Sequence, residues 1–334
     1  MNIIIPMAGR GTRLRPHTLT VPKPLIPIAG KPIVQRLVED IAKVYDGEIS
    51  QIGFIIDRDF GAQIEADLKQ IAAAVGSEGV IFYQDEKLGT AHAILCAADL
   101  LEGNVTVAYA DTLFKADFNL DASKDAIIWV QQVDDPSAFG VVTVNDHGII
   151  TEFVEKPKKF VSDLAIIGIY YFRDGANLKA ELQYLIDEDI RKGMEYQLTD
   201  ALENMKKKGL EFVPGQVSEW LDCGNKDATV YTNKRYLEYL SNEKLIHDSV
   251  QLKNSVIVPP VFLDENVTIE NCIIGPHVSV GKGSAIKNSI IQNTIIQTHS
   301  ELNNIHLKNS MIGNYVTFEG TISDVSLGDY NNIQ

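Results

Sequence analysis

Short apolar runs alternate with helical periods through the first third of the chain. "NIII" (2–5) reads as a first strand, and "PIVQRLVEDIAKVY" (32–45) as a helix with Ile33, Leu37, Ile41 and Val44 on one face. "QIGFII" (51–56) and "GVIFY" (79–83) read as strands, and "GAQIEADLKQIAAAV" (61–75) and "TAHAILCAADLL" (90–101) as helices. "NVTVAYA" (104–110) is the next strand and runs into Asp111. Such alternation predicts parallel strands with right-handed crossovers, and ligands bind at the carboxyl ends of strands so arranged. From 126 to 172 the pattern turns to strands: "AIIWVQQV", "GVVTV", "GIITEFVE" and "AIIGIYYF". Helical patterns return at 175–187, 197–207 and 226–242, so a mixed α/β first domain is expected over 1–242.

The tail, 243–334, has a different rhythm. "IGPHVS" (274–279), "VGKGSA" (280–285) and "IKNSII" (286–291) are consecutive hexads that each begin with an aliphatic residue. "IGNYVT" (312–317) and "FEGTIS" (318–323) resume the pattern after a slip. An apolar residue every six, with small or polar residues between, predicts a parallel β-helix of about four coils at about 18 residues each. A β-sandwich is the competing fold.

Charge and cysteine content narrow the function classes. The 334-residue chain is 45% apolar, and its formal net charge is −15. That charge argues against nucleic-acid partners but not against a small anion held by a local cationic cluster. Three scattered cysteines suit neither a disulfide framework nor a zinc site, which points to a reducing, cytoplasmic setting. Neither a signal peptide nor a membrane span is expected.

One cationic cluster stands out. "AGRGTRLRPHTLTVPKPL" (8–25) carries Arg10, Arg13, Arg15 and Lys23, and no acidic residue precedes Glu39. A glycine-containing cationic loop directly after a first strand predicts an anion site, most naturally for phosphate. It is neither G-x-x-x-x-G-K-[ST] nor G-x-G-x-x-G.

The stretch resembles the G-x-G-T-R…P-K signature of the sugar nucleotidyltransferases, with Ala8 where the family often has a further glycine. Further segments resemble that family's elements in its order: "QDEKLGTAHA" (84–93), "YADT" (109–112), "FGVV" (139–142), "VEKP" (154–157) and "EWLDCGN" (219–225). The resemblance covers about residues 1–240, and the tail is similar to the left-handed β-helix found on several members.

The resemblance implies that a sugar 1-phosphate, most plausibly glucose 1-phosphate, attacks the α-phosphate of a nucleoside triphosphate and releases pyrophosphate. It implies Arg13, Lys23 and Lys156 as catalytic groups, and a nucleotide cradle of Ala8, Gly9, Gly11, Thr12, Gln84 and Gly89. It places Gly140, Glu155 and Gly168 on the sugar and a shared Mg²⁺ on Asp111 and Asp222. Gly168 has a β-bulge as its alternative reading, and His92, Tyr196 and Thr199 read as packing or capping residues. A phosphate nucleophile is already ionised near neutral pH, so no general base is required. A pyrimidine triphosphate, dTTP ahead of UTP with GTP third, is the expected nucleotide. A catalytically silent regulatory subunit, or a bifunctional enzyme with an acetyl-transferring tail using His277, His299 or His306, would be the other outcomes. A homo-oligomer is expected.

Overall fold

Ile3, Ile4 and Ile5 are fully buried in the first strand, Asn2–Pro6, which lies inside a nine-stranded mixed sheet. The computed structural model describes residues 1–9, 11–116 and 120–321. Strand Asn2–Pro6 pairs in parallel with Gln51–Ile56 and Val105–Ala108, and Gln51–Ile56 in turn with Glu78–Tyr83. The far half is mixed: Leu164–Phe172 runs antiparallel to Val105–Ala108, Ala126–Gln132 and Gly140–Val144. Helices Ile33–Val44, Gly61–Ala74, Gly175–Asp187 and Leu198–Lys207 fall where the periodicity put them.

The expected helix over 90–101 is shorter. It stops at Leu95, and the chain then makes a 3₁₀ turn over Ala98–Leu100. The Asn2 side-chain amide donates to the Leu100 carbonyl at 3.0 Å, which serves a carbonyl that a continued helix would have used itself. The hydrophobic pattern did not reveal two short strands, Thr112–Lys115 and Glu219–Asp222, which pair antiparallel with Asp222 opposite Thr112.

By contacts the chain divides into two units, Met1–Ile26 with Lys31–Gly224, and Pro27–Gly30 with Asn225 and the chain beyond it. The division therefore falls before helix Lys226–Tyr239 rather than at 242. That helix packs on strands Ile290–Ile296 and His306–Ile312. Its buried face includes Thr229, Thr232 and Asn233, so no apolar stripe advertises where it belongs.

The C-terminal unit is a stack of parallel strands. Gln251–Lys253, Thr268–Glu270, Ala285–Lys287, Glu301–Asn303 and Thr317–Glu319 form one ladder. The expected 18-residue coil is thus 17 residues in the first two steps and 16 in the next two. Ile269, Ile286 and Leu302 stack inside it, each at most 2% exposed. The corners are made by residues in the left-handed region, among them Asn254, Asn271 and Asn288. Asparagine tolerates that conformation because its side chain satisfies local polar groups. Here the corner amides also bond one another, Asn254 Nδ2 to Asn271 Oδ1 at 2.9 Å and Asn271 Nδ2 to Asn288 Oδ1 at 3.1 Å. The last part of the hexad at 318–323 lies outside the described residues. Two of the three histidines considered for acetyl transfer have partners here: His277 Nε2 lies 3.1 Å from Glu238 Oε1, and His299 stacks on Tyr315.

Candidate active site

The loop after strand Asn2–Pro6 is anchored by Leu14, 1% exposed, on a 3₁₀ turn over Thr12–Leu14. Gly11 precedes that turn with φ 57°, and its carbonyl accepts the Thr18 hydroxyl at 2.8 Å. A β-carbon at Gly11 would lie 2.8 Å from Lys23 Cβ. Glycine is therefore required twice, for the left-handed turn and for the close approach of the lysine.

Lys23 is only 8% exposed, and its Nζ donates to Asp111 Oδ2 at 2.7 Å. Asp111 follows strand Val105–Ala108, at a carboxyl end as expected. The Cys223 N–H donates to the Asp111 carbonyl at 2.9 Å, which carries the end of Glu219–Asp222 to the same place. Asp222 Oδ1 accepts the Gly224 N–H at 2.9 Å. Burial and the nearby charge of Asp111 push the Asp222 carboxyl above its ordinary value, against the opposing pull of Lys23, Gly224 N–H and Arg13. The sequence places these two aspartates 111 positions apart; strand pairing makes them one acidic pair.

A cavity of about 480 Å³ opens between these groups. Gly9, Gly11, Thr12, Arg13, Lys23, Asp111 and Lys156 line it, so seven of the expected site residues converge. Two other wall residues, Thr90 and Tyr109, were not singled out from the sequence. Burial raises the Tyr109 phenol well above its ordinary value, and Thr90 hydrogen-bonds to it. The signal was present in "YADT", where a polar aromatic stands at a strand end two residues before Asp111.

The remaining expected residues take other positions. Ala8, with Gly9, borders a neighbouring cavity of about 330 Å³. Gln84 is 8% exposed, and its Nε2 lies 3.3 Å from both the Gly89 carbonyl and His92 Nδ1. A β-carbon on Gly140 would lie 3.0 Å from Glu155 Oε2, its cross-strand partner. The Lys156 N–H donates to the Phe139 carbonyl at 3.0 Å, and its Nζ lies 3.6 Å from Glu155 Oε1.

Gly168 takes the bulge that was its alternative reading. The strand register slips between Ile166 and Tyr170, so Gly168 sits in a bulge with φ 87°. A β-carbon there would lie 2.9 Å from the Tyr109 ring. Its carbonyl accepts the Tyr109 N–H at 2.9 Å, so this glycine seats the cavity-wall tyrosine.

Gly89 is likewise enforced by packing. Its φ is 109°, and a β-carbon would lie 2.4 Å from the Tyr196 carbonyl oxygen. Tyr196 clamps the loop, donating to the Leu88 carbonyl at 2.7 Å and accepting from the Ala91 N–H at 3.0 Å. Gly89→Ala should cost about 3 kcal/mol from the left-handed backbone and the overlap together. Its thermal midpoint should fall by roughly 5–10 °C. A midpoint within 1–2 °C of wild type in calorimetry would show that the loop rearranges freely (roughly the limit of an inert surface change).

Among the described residues no group of three or more His, Cys, Asp or Glu side chains could hold a metal ion. Two convergent carboxylates do fit Mg²⁺, which keeps several waters and takes substrate oxygens to complete its shell.

Cationic loop, acidic pair and cavity all lie in the unit that a family of known proteins shares. Residues 2–239 match the family model described as nucleotidyl transferase. The low-salt glycan biosynthesis nucleotidyltransferase Agl11 of Haloferax volcanii is 30% identical, over 91% of this chain and 89% of its own. A glucose-1-phosphate thymidylyltransferase of Streptomyces antibioticus is 27% identical, over 100% of this chain and 99% of its own. A crystal structure of UDP-glucose pyrophosphorylase complexed with UDP-glucose shares the fold, with TM-score 0.58 and 24% identity over 71% of this chain and 98% of that one. The seven convergent residues and the match over both of their flanking strands lead to one assignment: the chain belongs to the nucleotidyl transferase family and is a sugar-1-phosphate nucleotidyltransferase.

Proposed function

We propose that this enzyme joins glucose 1-phosphate to dTTP, giving a nucleotide sugar and pyrophosphate. The observation that carries the reading is the single cavity in which Arg13, Lys23 and Lys156 face Asp111. A sugar-phosphate oxygen forms a bond to the α-phosphorus, and the bond from that phosphorus to the bridging oxygen breaks. No proton needs to be moved, so catalysis is positioning and charge stabilisation. The N–H groups of Gly9, Gly11 and Thr12 cradle the leaving phosphates, and Arg13 grips them. Lys23 exchanges its bond to Asp111 for an α-phosphate oxygen and meets the growing charge. Lys156 holds the sugar phosphate in line, and Glu155 and Gly140 take its hydroxyls. Asp111 and Asp222 hold Mg²⁺, which when bound neutralises phosphate charge.

The pyrimidine reading rests on Gln84, whose Nε2 donates to the Gly89 carbonyl at 3.3 Å and would have to turn from it to meet a base edge. Among the described residues no helix is long and apolar enough to cross a membrane, and Cys96, Cys223 and Cys272 form no disulfide. A cytoplasmic enzyme fits both observations, with a left-handed β-helix as its C-terminal unit and a homo-oligomer as its assembly.

The test is pyrophosphate release across five nucleoside triphosphates and several sugar 1-phosphates, with and without Mg²⁺. Preference for a triphosphate other than dTTP, or for a sugar other than glucose, would overturn the substrate assignment. Lys156→Ala separates the two halves of the site. The KM for the sugar phosphate should rise about tenfold or more, the loss of one charge-assisted contact, while that for the triphosphate stays within about twofold. Equal rises would move Lys156 to the nucleotide side.

A further inference from the structure

Gln84 directly follows strand Glu78–Tyr83, and His92 stands on the short helix Thr90–Leu95. The backbone around both is fixed. The Gln84 N–H donates to the Ile56 carbonyl at 3.0 Å, and the Gly89 carbonyl accepts the Ala93 N–H at 3.1 Å. Gln84 is only 8% exposed, so a polar atom of its side chain left without a partner is costly.

Chemistry identifies one end of that side-chain amide. The atom 3.3 Å from the Gly89 carbonyl must be a donor, because a carbonyl oxygen only accepts; it is therefore Nε2. The same atom lies 3.3 Å from His92 Nδ1. A donor facing Nδ1 requires that nitrogen to be bare, so the neutral ring carries its proton on Nε2. Burial favours the neutral ring by lowering the His92 titration, against the opposing pull of Glu86. Both hydrogens of the Gln84 amide are then used, one by Gly89 and one by His92. The Oε1 atom is left over, and among the described residues it accepts no hydrogen bond.

We propose that His92 is a positioning residue for base selection: it holds the Gln84 amide so that Oε1, and not Nε2, meets the nucleobase. An acceptor at that place pairs with an imino N–H. Thymine and uracil present one at N3. Cytosine presents a bare nitrogen there, which would set lone pair against lone pair. Nε2 stays on Gly89 throughout. This rests on the placing of Gln84 at the base under the proposed function. It extends that placing to a second residue acting through the first, and to the rejection of cytosine.

The experiment is calorimetric binding of dTTP and of dCTP to the full chain with Mg²⁺. Wild type is compared with Gln84→Leu, His92→Asn, His92→Gln and the double variant of Gln84→Leu with His92→Gln. Wild type should prefer dTTP, and Gln84→Leu should cut that preference by about 100-fold, since a site built around a hydrogen bond rejects the wrong partner steeply. Asparagine can place Oδ1 where Nδ1 stood, so His92→Asn should keep the preference within about threefold. Glutamine sets its amide one methylene further out, nearer the place of the other ring nitrogen. His92→Gln should therefore cut the preference by about tenfold, at a thermal midpoint like that of His92→Asn. In the double variant the change at His92 should add nothing, because it acts through Gln84 alone. A folded His92→Gln with the wild-type preference overturns the proposal. So does an equal loss in both single variants of His92, or a His92→Gln loss that persists in full beside Gln84→Leu. An unchanged preference in Gln84→Leu would instead sink the placing of Gln84 at the base; a collapsed one there, beside a normal His92→Gln, sinks only the role of His92.

Discussion

Asp222→Asn should abolish most turnover and, in the metal-free protein, raise the thermal midpoint. The activity loss should be about 100-fold or more, because even an outer partner of a metal ligand is worth about 10–100-fold. The stability gain follows from the site's own electrostatics. Burial and Asp111 together disfavour the ionised Asp222. An amide of the same shape removes that penalty, and its carbonyl can still accept the Gly224 N–H. Asp111→Asn has the opposite sign. It also relieves Asp222, but it strips the nearly buried Lys23 ammonium of the carboxylate 2.7 Å away, so that variant should be less stable than Asp222→Asn. Both should be inactive, and sites tuned for function commonly give up stability in this way.

The pH dependence gives a second reading of the same pair. The folded-state value of Asp222 is raised above its unfolded value, so between the two the native protein binds more protons. The destabilisation is fully present above the raised folded value and is relieved as pH falls through it. The advantage of Asp222→Asn in EDTA should therefore be largest near neutrality and shrink on acidification. Adding Mg²⁺ should raise the wild-type midpoint by mass action and leave that of the variant unchanged. A variant that keeps turnover within a few-fold of wild type, or melts lower than wild type in EDTA, would remove Asp222 from the metal site.

What the sequence made legible was what depends on local chemistry. Gly11, Leu14 and Lys23 form a shaped cationic loop because glycine conformation and anchoring are set within a dozen residues. The strands Gln51–Ile56 and Gly140–Val144 were visible as continuous β-branched and aromatic runs. The acidic pair was not visible from spacing, because it depends on pairing between Thr112–Lys115 and Glu219–Asp222, two four-residue strands in which hydrophobic pattern carries little information. Resemblance supplied the two aspartates and their sharing of one ion; the strand pairing supplied what brings them together. Gly89 and Gly168 were legible as glycines that matter, and Gly168 as a possible bulge, but the side chains packed against them were not. The groups they accommodate, Tyr196 and Tyr109, come from other segments of the fold. Helix Lys226–Tyr239 lies inside the family match over 2–239, yet its contacts group it with the C-terminal unit, which the threonines and asparagine on its buried face do not reveal in sequence.

Lys23→Met should lower turnover by about 100- to 1,000-fold, the scale of losing one preorganised group aimed at developing negative charge. Methionine keeps an unbranched stem of similar length where Lys23 packs beside Gly11, so the change is chiefly one of charge. In the free enzyme the ammonium is the counter-ion of Asp111, and it also holds down the titration of Asp222. Removing it leaves two neighbouring carboxylates, with Arg13 still pulling the Asp222 titration down. The metal-free variant should therefore melt lower than wild type, and Mg²⁺ should recover more of its stability than it adds to the wild-type protein. Single-turnover rates at saturating substrates, with melting curves in EDTA and in Mg²⁺, read both effects on one sample. Turnover within tenfold of wild type would show that Lys23 serves only to hold Asp111. A large rate loss without any fall in the metal-free midpoint would show the reverse, a lysine aimed at substrate whose bond to Asp111 contributes nothing to the fold.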